Sequence, residues 1–533
     1  MNEQSKTILP LIASGALLAI ASLFPQTGLG LMAAILSAAA FAWPVRHGAP
    51  TLLSFFLSGF VFTAIAFYWL PDTITFFGGF PYPVALLFFG LFCVVSALQF
   101  LVCGWLAVRL ERTMLAGVGL ALPLAWFAAE VLYPRMFPWA MGHAMSAWPE
   151  VASLAAFGGV PPISALLLWW GVALAELVHM LRAKQWRWPV PMAVAGATAM
   201  LVGVGYVRSA AVRAEVAAAP RVKVAIIQGN LEAKQKGDIK FLDVNIARYQ
   251  AITREVVAQG AELVVWPESV SNYWTPETLA SVRGTTYDPF PMGEVALLYG
   301  GLSFRERDPE EVEEVLRANP QLRTKRFIEQ FRYHRFNSAF GLDADGKVVG
   351  RYHKRILMPF GEYVPLSGVF PVLKQMLPQT GDFTVGDVRE PIPFSLGDIP
   401  VTAAVLICYE DLIPALAREA VELGANVLVN LTNDAWYGDT AAPYQHHLLA
   451  LWRAIEAKRY LLRATNTGYT AIVNPLGENE GDLPLFKEGF LLQEIPLLEG
   501  RTFYSRIGEV PHWLLSAGLL GIGLLARKRS PHE

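Results

Sequence analysis

The chain has 533 residues, more than one hydrophobic core usually organises, so at least two structural units are expected. Hydrophobic residues make up 54% of the sequence and charged residues 17%, and the mean hydropathy is +0.37. A water-soluble protein rarely has that balance, so the composition predicts a membrane protein. The formal net charge of −2 provides no broad basic field, which excludes nucleic acid as a partner.

Apolar stretches long enough to cross about 30 Å of hydrocarbon recur through the first part of the chain. We predict seven spans there, at residues 8–24, 29–43, 52–70, 82–108, 114–132, 160–181 and 189–207. The first is followed directly by another span and has no cleavage-site pattern, which indicates a retained helix. A last apolar run, 513–526, reaches spanning length if it begins near residue 507. The predicted units are a membrane bundle at 1–215, a mixed α/β domain at 216–500 and a C-terminal span with a basic tail at 501–533.

The distribution of basic residues predicts the orientation of these spans. Successive loops between the predicted spans lie on alternate sides of the membrane. On one side, Arg135 is almost the only basic residue. The other side receives Lys6, Arg46, Arg109, Arg112, Arg182, Lys184, Arg187 and the tail Arg527 to Arg529. Both termini are therefore expected in the cytoplasm, and seven crossings place the α/β domain on the periplasmic or extracellular side. That conclusion depends on an odd number of leading spans.

A carboxylate follows the second predicted strand of the α/β domain. Residues 222–230 predict a first buried strand, and an amphipathic helix comes next. Its apolar face holds Leu242, Ile246, Tyr249, Ile252 and Val256. The run Leu263-Val-Val-Trp-Pro-Glu268 then predicts a buried strand that ends at a proline. Groups at the carboxyl ends of such strands line functional crevices, although Glu268 alone would fit a surface acid better.

A lysine follows the strand Gly350-Arg-Tyr-His-Lys354, which comes after the hairpin signal Asp345-Gly346. Lys354 alone would be assigned to solvent. A second acid, Glu362, lies a few residues further on, in Pro359-Phe-Gly-Glu362.

The third element is Ala404-Val-Leu-Ile-Cys408-Tyr-Glu-Asp411, an apolar strand followed by a cysteine and a predicted helix. The apolar face of that helix is expected to hold Leu412, Leu416, Ala420 and Leu423. A strand-to-helix elbow exposes its side chain and directs free backbone N–H groups at the atom it attacks. Cys93 and Cys103 lie in apolar runs instead, where a thiol behaves as a small hydrophobe. Alone, Cys408 fits a buried structural thiol as well as a nucleophile.

The three residue types together match one chemistry. A thiolate attacks a carbonyl, a carboxylate moves the proton, and an ammonium with a backbone N–H stabilises the oxyanion. The order Glu268, Lys354, Cys408 resembles the nitrilase superfamily, whose domain is a four-layer αββα sandwich. The resemblance implies that Glu268 is the general base, Lys354 the oxyanion stabiliser and Cys408 the nucleophile, with Glu362 in a supporting position.

The whole chain resembles the bacterial apolipoprotein N-acyltransferase family. The matching stretches are Phe137-Pro-Trp139, Trp266-Pro-Glu268, His353-Lys354-Arg355, Pro359-Phe-Gly-Glu-Tyr-Val-Pro365 and Cys408-Tyr409-Glu410. The resemblance implies acyl transfer from a phospholipid, through a cysteine thioester, to the α-amino group of the diacylglyceryl-cysteine of an apolipoprotein. It also implies an inner-membrane enzyme without a cofactor, with Tyr409 and Glu410 as further supporting residues. No metal-ligand set or glycine-rich phosphate loop is predicted.

Several alternatives stay open at this point. A membrane-tethered amidase or nitrilase would use the same residues but resolve the thioester with water. A transporter carrying an inactive domain is less favoured, because the spans contain almost no central charges. The apolar segment 366–377 is expected to be a lid or a membrane-dipping arm, or else a loop packed on its own domain. The insertion 305–335 predicts a solvated helical excursion, and Glu130 and His143 favour structural hydrogen bonds over head-group contacts.

Overall fold

The computed structural model describes residues 3–526 apart from 187, 233–238, 292, 319, 321–322, 366 and 368–380. The helices before the α/β domain are α1 (Glu3–Leu23), α2 (Gly28–His47), α3 (Leu52–Ala66), α4 (Leu70–Gly78), α5 (Tyr82–Leu110), α6 (Ala121–Leu132), α7 (Pro149–Ala152), α8 (Ala155–Gly158), α9 (Pro161–Ala183) and α10 (Pro189–Ala218). The later ones are α11 (Leu242–Ala258), α12 (Pro309–Ala318), α13 (Lys325–Phe331), α14 (Pro414–Glu422), α15 (Ala442–Ala457), α16 (Phe503–Ile507) and α17 (Val510–Leu525).

Within the described residues, four helices are long and apolar enough to cross a membrane, namely α2, α5, α9 and α10. The bent pair α3 and α4 also qualifies when its two parts are counted as one span, which makes five. Three further apolar helices are shorter, at Thr7–Leu23, Ala121–Leu132 and Val510–Leu525. The structure therefore supports a multi-span membrane domain, whereas the predicted number of eight spans is not confirmed.

The predicted span 114–132 is wrong as one continuous helix. The chain forms a 3-10 turn at Met114–Ala116, and α6 then begins only at Ala121. Gly119 interrupts the helix between them, because its φ of +73° lies in the left-handed region that favours glycine. At 12 residues, α6 measures roughly 18 Å, which is less than the thickness of the hydrocarbon.

The predicted span 52–70 breaks near its end. Helix α3 stops at Ala66, and α4 leaves at 55° after the turn Phe67-Tyr68-Trp69. Pro71, in the first turn of α4, is the physical reason, since it has no N–H to bond the carbonyl of Phe67 and its ring would clash with that carbonyl in a continuous helix. The break places Trp69 at the edge of the membrane domain, facing the α/β domain.

Two sheets form the α/β domain. The first strands are β1 (Arg221–Gln228), β2 (Leu263–Val265), β3 (Ser271–Pro276), β4 (Ala296–Glu306), β5 (Tyr333–Leu342), β6 (Val348–His353) and β7 (Ile392–Leu396). The others are β8 (Ile399–Ile407), β9 (Val427–Thr432), β10 (Leu461–Thr465), β11 (Thr470–Val473), β12 (Asn479–Leu483) and β13 (Gly489–Pro496). One sheet has the order β13-β1-β2-β4-β5-β6, with β3 beside β4, and the other has the order β12-β11-β10-β9-β8-β7.

The two sheets pack face to face around a core of branched aliphatic side chains. Ile226, Leu263 and Leu298 of the first sheet belong to the same buried cluster as Ile407 and Val429 of the second. Helix α11 covers the outer face of the first sheet, and its predicted apolar face is buried as expected. Helices α14 and α15 cover the outer face of the second. These are the four αββα layers predicted from the sequence.

The fourth layer also packs on the membrane bundle, since residues of α14, α15 and the bundle form one continuous buried cluster. Gln445 on α15 links the two parts: it accepts a hydrogen bond from the Trp69 indole (2.9 Å) and donates to the Ser22 hydroxyl (2.9 Å). The side chains of α15, apart from the exposed Tyr444, are therefore buried between a sheet and the membrane domain.

Other predictions have mixed outcomes. The predicted boundary at 215/216 falls inside α10, which runs to Ala218. The insertion 305–335 is a helical excursion, carrying α12 and α13. Leu423 is exposed rather than on the buried face of α14, because the helix ends one residue before it. The segment expected to be a lid lies almost entirely outside the described residues, and so does the basic tail.

Glu130 and His143 make the structural hydrogen bonds expected of them. Glu130 accepts from the Trp126 indole (2.6 Å) and from the backbone N–H of Met141 (3.0 Å). His143 accepts from the backbone N–H of Ala140 (2.9 Å) through Nδ1. Both side chains are buried where α6 leads into the following 3-10 turn, Met141–Ala147.

Candidate active site

Cys408 lies at the carboxyl end of β8, in the second sheet. Its φ is +52°, a left-handed conformation that costs a residue with a side chain about 1–3 kcal/mol. A 3-10 turn, Cys408–Leu412, then leads into α14 in place of the directly joined helix that was predicted. The side-chain amide of Asn430 on β9 holds this elbow by donating to the carbonyls of Leu406 (3.0 Å) and Cys408 (3.3 Å). The fold thus maintains an unfavourable backbone that directs the thiol away from the sheet.

Three charged groups from the first sheet lie beside the elbow. Glu268 follows β2 and Lys354 follows β6, and both side chains are buried. Lys354 Nζ lies 2.8 Å from Glu362 Oε2 and 3.8 Å from Glu268 Oε1. The side-chain amide of Asn337 on β5 donates to both acids, to Glu268 Oε1 and Glu362 Oε1, each at 2.8 Å. We call Glu268, Asn337, Lys354 and Glu362 the cavity cluster.

The cavity cluster and Cys408 influence each other electrostatically. Burial raises the pKa of the Cys408 thiol well above its usual value, and Glu268 raises it further, whereas Lys354 lowers it. Burial alone would lower the pKa of Lys354, but Glu362, Cys408 and Glu268 outweigh burial and raise it. The resting site therefore holds a neutral thiol beside a permanent ammonium. Attack by this sulfur requires a base that removes its proton.

Glu410 has a structural role rather than a place at the reacting atoms. Its buried carboxylate accepts from the backbone N–H groups of Ile407 (2.8 Å), Arg355 (2.6 Å) and Ile356 (3.0 Å). The hydroxyl of Tyr352 donates to it as well (2.9 Å). Burial raises the pKa of Glu410 to about 7. Glu410 thereby joins the elbow after Cys408 to the segment after Lys354 and fixes the distance between the two.

A cavity of about 580 Å³ lies in front of these groups, and Cys408, Glu268, Lys354 and Glu362 all line it. Much of the rest of its wall comes from apolar and aromatic side chains of the membrane domain. These include Phe67, Trp69, Leu70, Phe137 and Trp139. Tyr409 lines the cavity as well, and its hydroxyl donates to the backbone carbonyl of Met136. A polar reaction centre therefore opens into an apolar chamber built by both parts of the chain.

A second group of buried charges, which was not predicted from the sequence, lies beside the elbow, and one of its members, His446, lines the same cavity. His446 on α15 lies between two carboxylates, with Nε2 2.9 Å from Asp411 Oδ1 and Nδ1 3.0 Å from Asp434 Oδ1. Arg463 on β10 donates to Asp434 Oδ2 (3.0 Å) and lies 3.6 Å from Asp411 Oδ2. We call Asp411, Asp434, His446 and Arg463 the wall cluster. Burial alone would lower the pKa of His446, but the two aspartates raise it to about 9.

Neither cluster has the composition of a metal centre. In the described part of the chain, no group of three or more His, Cys, Asp and Glu side chains could hold a metal ion. The neighbouring residues His446 and His447 on α15 have different partners. His446 lies between Asp411 and Asp434, whereas Nε2 of His447 lies 3.0 Å from Oδ1 of Asn479. The chemistry available is that of a thiol, two carboxylic acids and an ammonium.

Comparison with known proteins agrees with this geometry. Residues 223–503 match the family model described as carbon-nitrogen hydrolase, and residues 14–174 match the apolipoprotein N-acyltransferase N-terminal domain. A relative from Geobacter metallireducens, named apolipoprotein N-acyltransferase, is 31% identical over 98% of this chain and 96% of its own length. The chain belongs to the apolipoprotein N-acyltransferase family. Further members of the family, from Azotobacter vinelandii and Methylococcus capsulatus, are 30% and 29% identical over 88% and 98% of this chain.

Some solved structures are similar to about half of this chain. An amidase from Nesterenkonia sp. is 20% identical, with a TM-score of 0.35, over 54% of this chain and 94% of that one. A branch 10 member of the nitrilase superfamily from Saccharomyces cerevisiae is 18% identical, with a TM-score of 0.37, over 55% and 94%.

Family membership makes the chain an acyltransferase with a nitrilase-like catalytic domain on a membrane domain. The resemblance found in the sequence is thereby confirmed. The hydrolase alternative is not the better explanation, because the match at residues 14–174 is specific to the acyltransferase family. The roles of individual site residues stay predictions.

Proposed function

We propose that this chain moves a fatty acyl group from a phospholipid, through a thioester on Cys408, to an apolipoprotein. The acceptor is the α-amino group of the N-terminal diacylglyceryl-cysteine. The observation that carries the proposal is the make-up of the cavity, in which a thiol, two acids and a lysine meet an apolar wall from the membrane domain. An acyl chain fits that wall, while its carbonyl lies at the polar end.

In the first half-reaction, Glu268 removes the proton from the Cys408 thiol as the sulfur attacks the ester carbonyl of the phospholipid. The ammonium of Lys354 stabilises the negative charge that develops on the carbonyl oxygen. The C–O bond of the ester then breaks. The departing alkoxide takes the proton from Glu268, which leaves a lysophospholipid and an acyl thioester.

In the second half-reaction, the amine of the lipoprotein attacks the thioester and loses a proton to Glu268. The C–S bond breaks, an amide forms, and the Cys408 sulfur recovers a proton from Glu268. Glu362 keeps Lys354 charged and oriented throughout, since its carboxylate lies 2.8 Å from the ammonium. Glu268 thus acts as base and acid in each half-reaction, as the reversible transfer of one proton requires.

Lipid-anchored substrates explain why this catalytic domain needs a membrane domain. Both the donor and the acceptor carry acyl chains that are costly to expose to water. Phe67, Trp69 and Phe137 line the reaction cavity, so a chain can reach the sulfur without leaving an apolar environment. The same wall excludes water from the thioester until an amine arrives, which favours transfer over hydrolysis.

We place the enzyme in the bacterial inner membrane with the catalytic domain in the periplasm and both termini in the cytoplasm. Arg46 at the end of α2 pairs with Glu111 (2.9 Å) and with Glu176 near the end of α9 (2.7 Å). Glu176 lies 15 residues from Pro161, where α9 begins beside the catalytic domain, and this is roughly 22 Å at 1.5 Å per residue. Arg109 and Arg182 stand in the last turns of α5 and α9, so three arginines lie at the end far from the catalytic domain, which supports this orientation.

Intact-protein mass spectrometry tests the mechanism. Purified enzyme is incubated with a phospholipid and then receives either a diacylated lipopeptide or buffer. An acyl adduct on Cys408 is expected, which persists in buffer and disappears when the lipopeptide is added. Rapid loss of the adduct in buffer would instead support the hydrolase.

Two other cysteines provide matched controls. Cys408→Ala is expected to abolish the adduct, whereas Cys93→Ala and Cys103→Ala should keep it, because both of those thiols are buried in α5. Full transfer activity in Cys408→Ala would disprove the proposed mechanism.

A further inference from the structure

A second cavity, of about 180 Å³, lies between the membrane domain and the catalytic domain. It is bounded by the end of α6, the start of α9, α15, and the start of α17. Leu412 and Leu449 line both this cavity and the reaction cavity, so a single layer of side chains separates the two. The second cavity has room for about six waters at about 30 Å³ each, or for one small polar group of similar size.

Charged side chains of both signs line this small space. They are Glu130, Arg135, Arg453, Glu456 and Glu509, and His143 and His512 lie beside them. A lone anion would meet three carboxylates there, and a lone cation would meet two guanidinium groups. A ligand that carries one charge of each sign can pair with both sets.

Besides Glu456 Oε2, which forms an ion pair with Arg453, two buried polar atoms of this lining have no hydrogen-bond partner among the described residues. One is Oε2 of Glu130, whose other oxygen is occupied by Trp126 and Met141. The second is Nε of Arg453, whose Nη1 donates to the carbonyl of Leu412 (3.1 Å) and whose Nη2 pairs with Glu456 (2.8 Å). Both residues are at most 3% exposed. An acceptor and a donor left unpaired at such depth favour a bound group that supplies one of each.

One wall of the cavity reaches the lipid-facing surface. Trp513, at the start of α17, lines the cavity and is 51% exposed, and the next residue, Leu514, is 70% exposed. Helix α17 continues as an apolar helix toward residue 525. A molecule with its polar end among the charges could therefore lay apolar chains along α17.

We propose that this second cavity binds the zwitterionic headgroup of a phospholipid that is not the acyl donor. The phosphate pairs with the guanidinium of Arg453, and the ammonium pairs with Glu130 and Glu456. Because Arg453 also holds the carbonyl of Leu412, the bound lipid contacts the elbow that carries Cys408. The site does not depend on the acyl-transfer chemistry, so it can be tested when the nucleophile is absent.

Photolabelling of the Cys408→Ala enzyme tests the proposal. The probe is phosphatidylethanolamine with a diazirine near the ester end of one acyl chain, presented in detergent micelles. Peptides that contain residues 510–514 are expected to be labelled. In a background of Cys408→Ala, Arg453→Lys should reduce this labelling about tenfold, the effect of about one charge-assisted hydrogen bond. Arg459→Lys is the matched control, since Arg459 is an equally buried arginine that does not line the cavity.

Each remaining outcome is decisive. Equal labelling in the Arg453→Lys and control proteins would mean an unspecific surface lipid and overturn the proposal. Equal labelling by phosphatidylglycerol carrying the same diazirine would overturn the requirement for an ammonium group. Competition by free O-phosphoethanolamine as effective as competition by the intact lipid would identify a soluble ligand instead. Should Arg453→Lys fail to fold, Glu456→Gln serves as the second variant, with the same expected loss.

Discussion

The cavity cluster and the wall cluster both lie beside the elbow that carries Cys408, yet their charges are arranged differently. In the cavity cluster one lysine faces two glutamates, which leaves one carboxylate in excess and able to take up a proton. In the wall cluster two aspartates face an arginine and a charged histidine, so the charges balance, and both nitrogens of His446 are occupied. The comparison indicates that excess charge marks the reacting groups, whereas balanced charge marks the supporting ones.

The largest expected effect is on catalysis, in the cavity cluster. Glu268→Gln keeps an oxygen that can accept from Asn337 but cannot move a proton, so both half-reactions should slow by about 10² to 10⁴. Acyl-enzyme formation and its decay with lipopeptide, followed separately by mass spectrometry, measure the two effects. Glu255→Gln, an exposed acid on α11, is the control and should leave both rates unchanged. A Glu268→Gln enzyme with normal rates would show that another group is the base.

Removing a charged side chain from the wall cluster should lower the stability of the fold. Arg463→Met leaves Asp411 and Asp434 buried with only His446 as a counter-charge. We expect a loss of about 3–5 kcal/mol in the free energy of unfolding, measured by denaturant titration monitored by tryptophan fluorescence. Arg248→Met, which removes an exposed pair with Glu488, should cost less than about 1 kcal/mol. Normal stability with lost activity in Arg463→Met would contradict a supporting role.

Stability should also depend on pH through His446. Its pKa rises from an ordinary value of 6.5 to about 9 in the fold, so the folded state holds the proton more tightly. Its contribution is complete below pH 6.5 and is lost as the pH rises through 9. The difference between the two pKa values corresponds to a contribution of roughly 3 kcal/mol to the free energy of unfolding. Melting temperatures from pH 6 to 10 should fall in the native enzyme, with a smaller slope in His446→Gln, and parallel curves would refute the prediction.

The smallest expected effect is at the contact between the two parts of the chain. Tyr409→Phe removes the hydrogen bond to the Met136 carbonyl, which should cost about 0.5–1.5 kcal/mol. A melting experiment in detergent detects a change of that size. Tyr444→Phe, an exposed tyrosine at the start of α15, should leave the melting temperature unchanged. If Tyr409→Phe lowered activity about a hundredfold without affecting stability, the hydroxyl would belong to the cavity cluster instead.

The principal site residues could be predicted because each stands at a strand end, where local sequence carries the information. Glu268 and Cys408 each follow a run of apolar residues, Lys354 follows the strand end Gly350-Arg-Tyr-His353, and their chemical types fit three complementary roles. Asn337 could not be found in this way, because it lies inside β5, and its contact with two acids depends on how β5 pairs with its neighbours. Glu410 was identified only from the motif Cys408-Tyr409-Glu410. Its hydrogen bonds to the backbone could not be predicted, because they form only when the elbow is folded.

The wall cluster and the membrane spans show where sequence patterns fail. Asp411, Asp434, His446 and Arg463 come from four separate elements, and nothing in their local sequence indicates that they meet. Hydropathy predicted the apolar stretches well but not their continuity, because Pro71 and Gly119 end helices that composition alone would extend. The four-layer arrangement was implied by the family resemblance, whereas its contact with the membrane domain was not predicted.

The break between α3 and α4 has a consequence for how the enzyme can be divided. It brings Trp69 to the cavity and to Gln445, so the chamber in front of Cys408 belongs to neither half of the chain alone. A catalytic domain produced without the helices up to α10 would keep its sheets, but it would lose the part of the cavity wall that the membrane domain contributes. Its sulfur would then face solvent, and a thioester formed there would meet water before any amine. The membrane domain therefore forms part of the cavity in front of Cys408, in addition to anchoring the catalytic domain in the membrane.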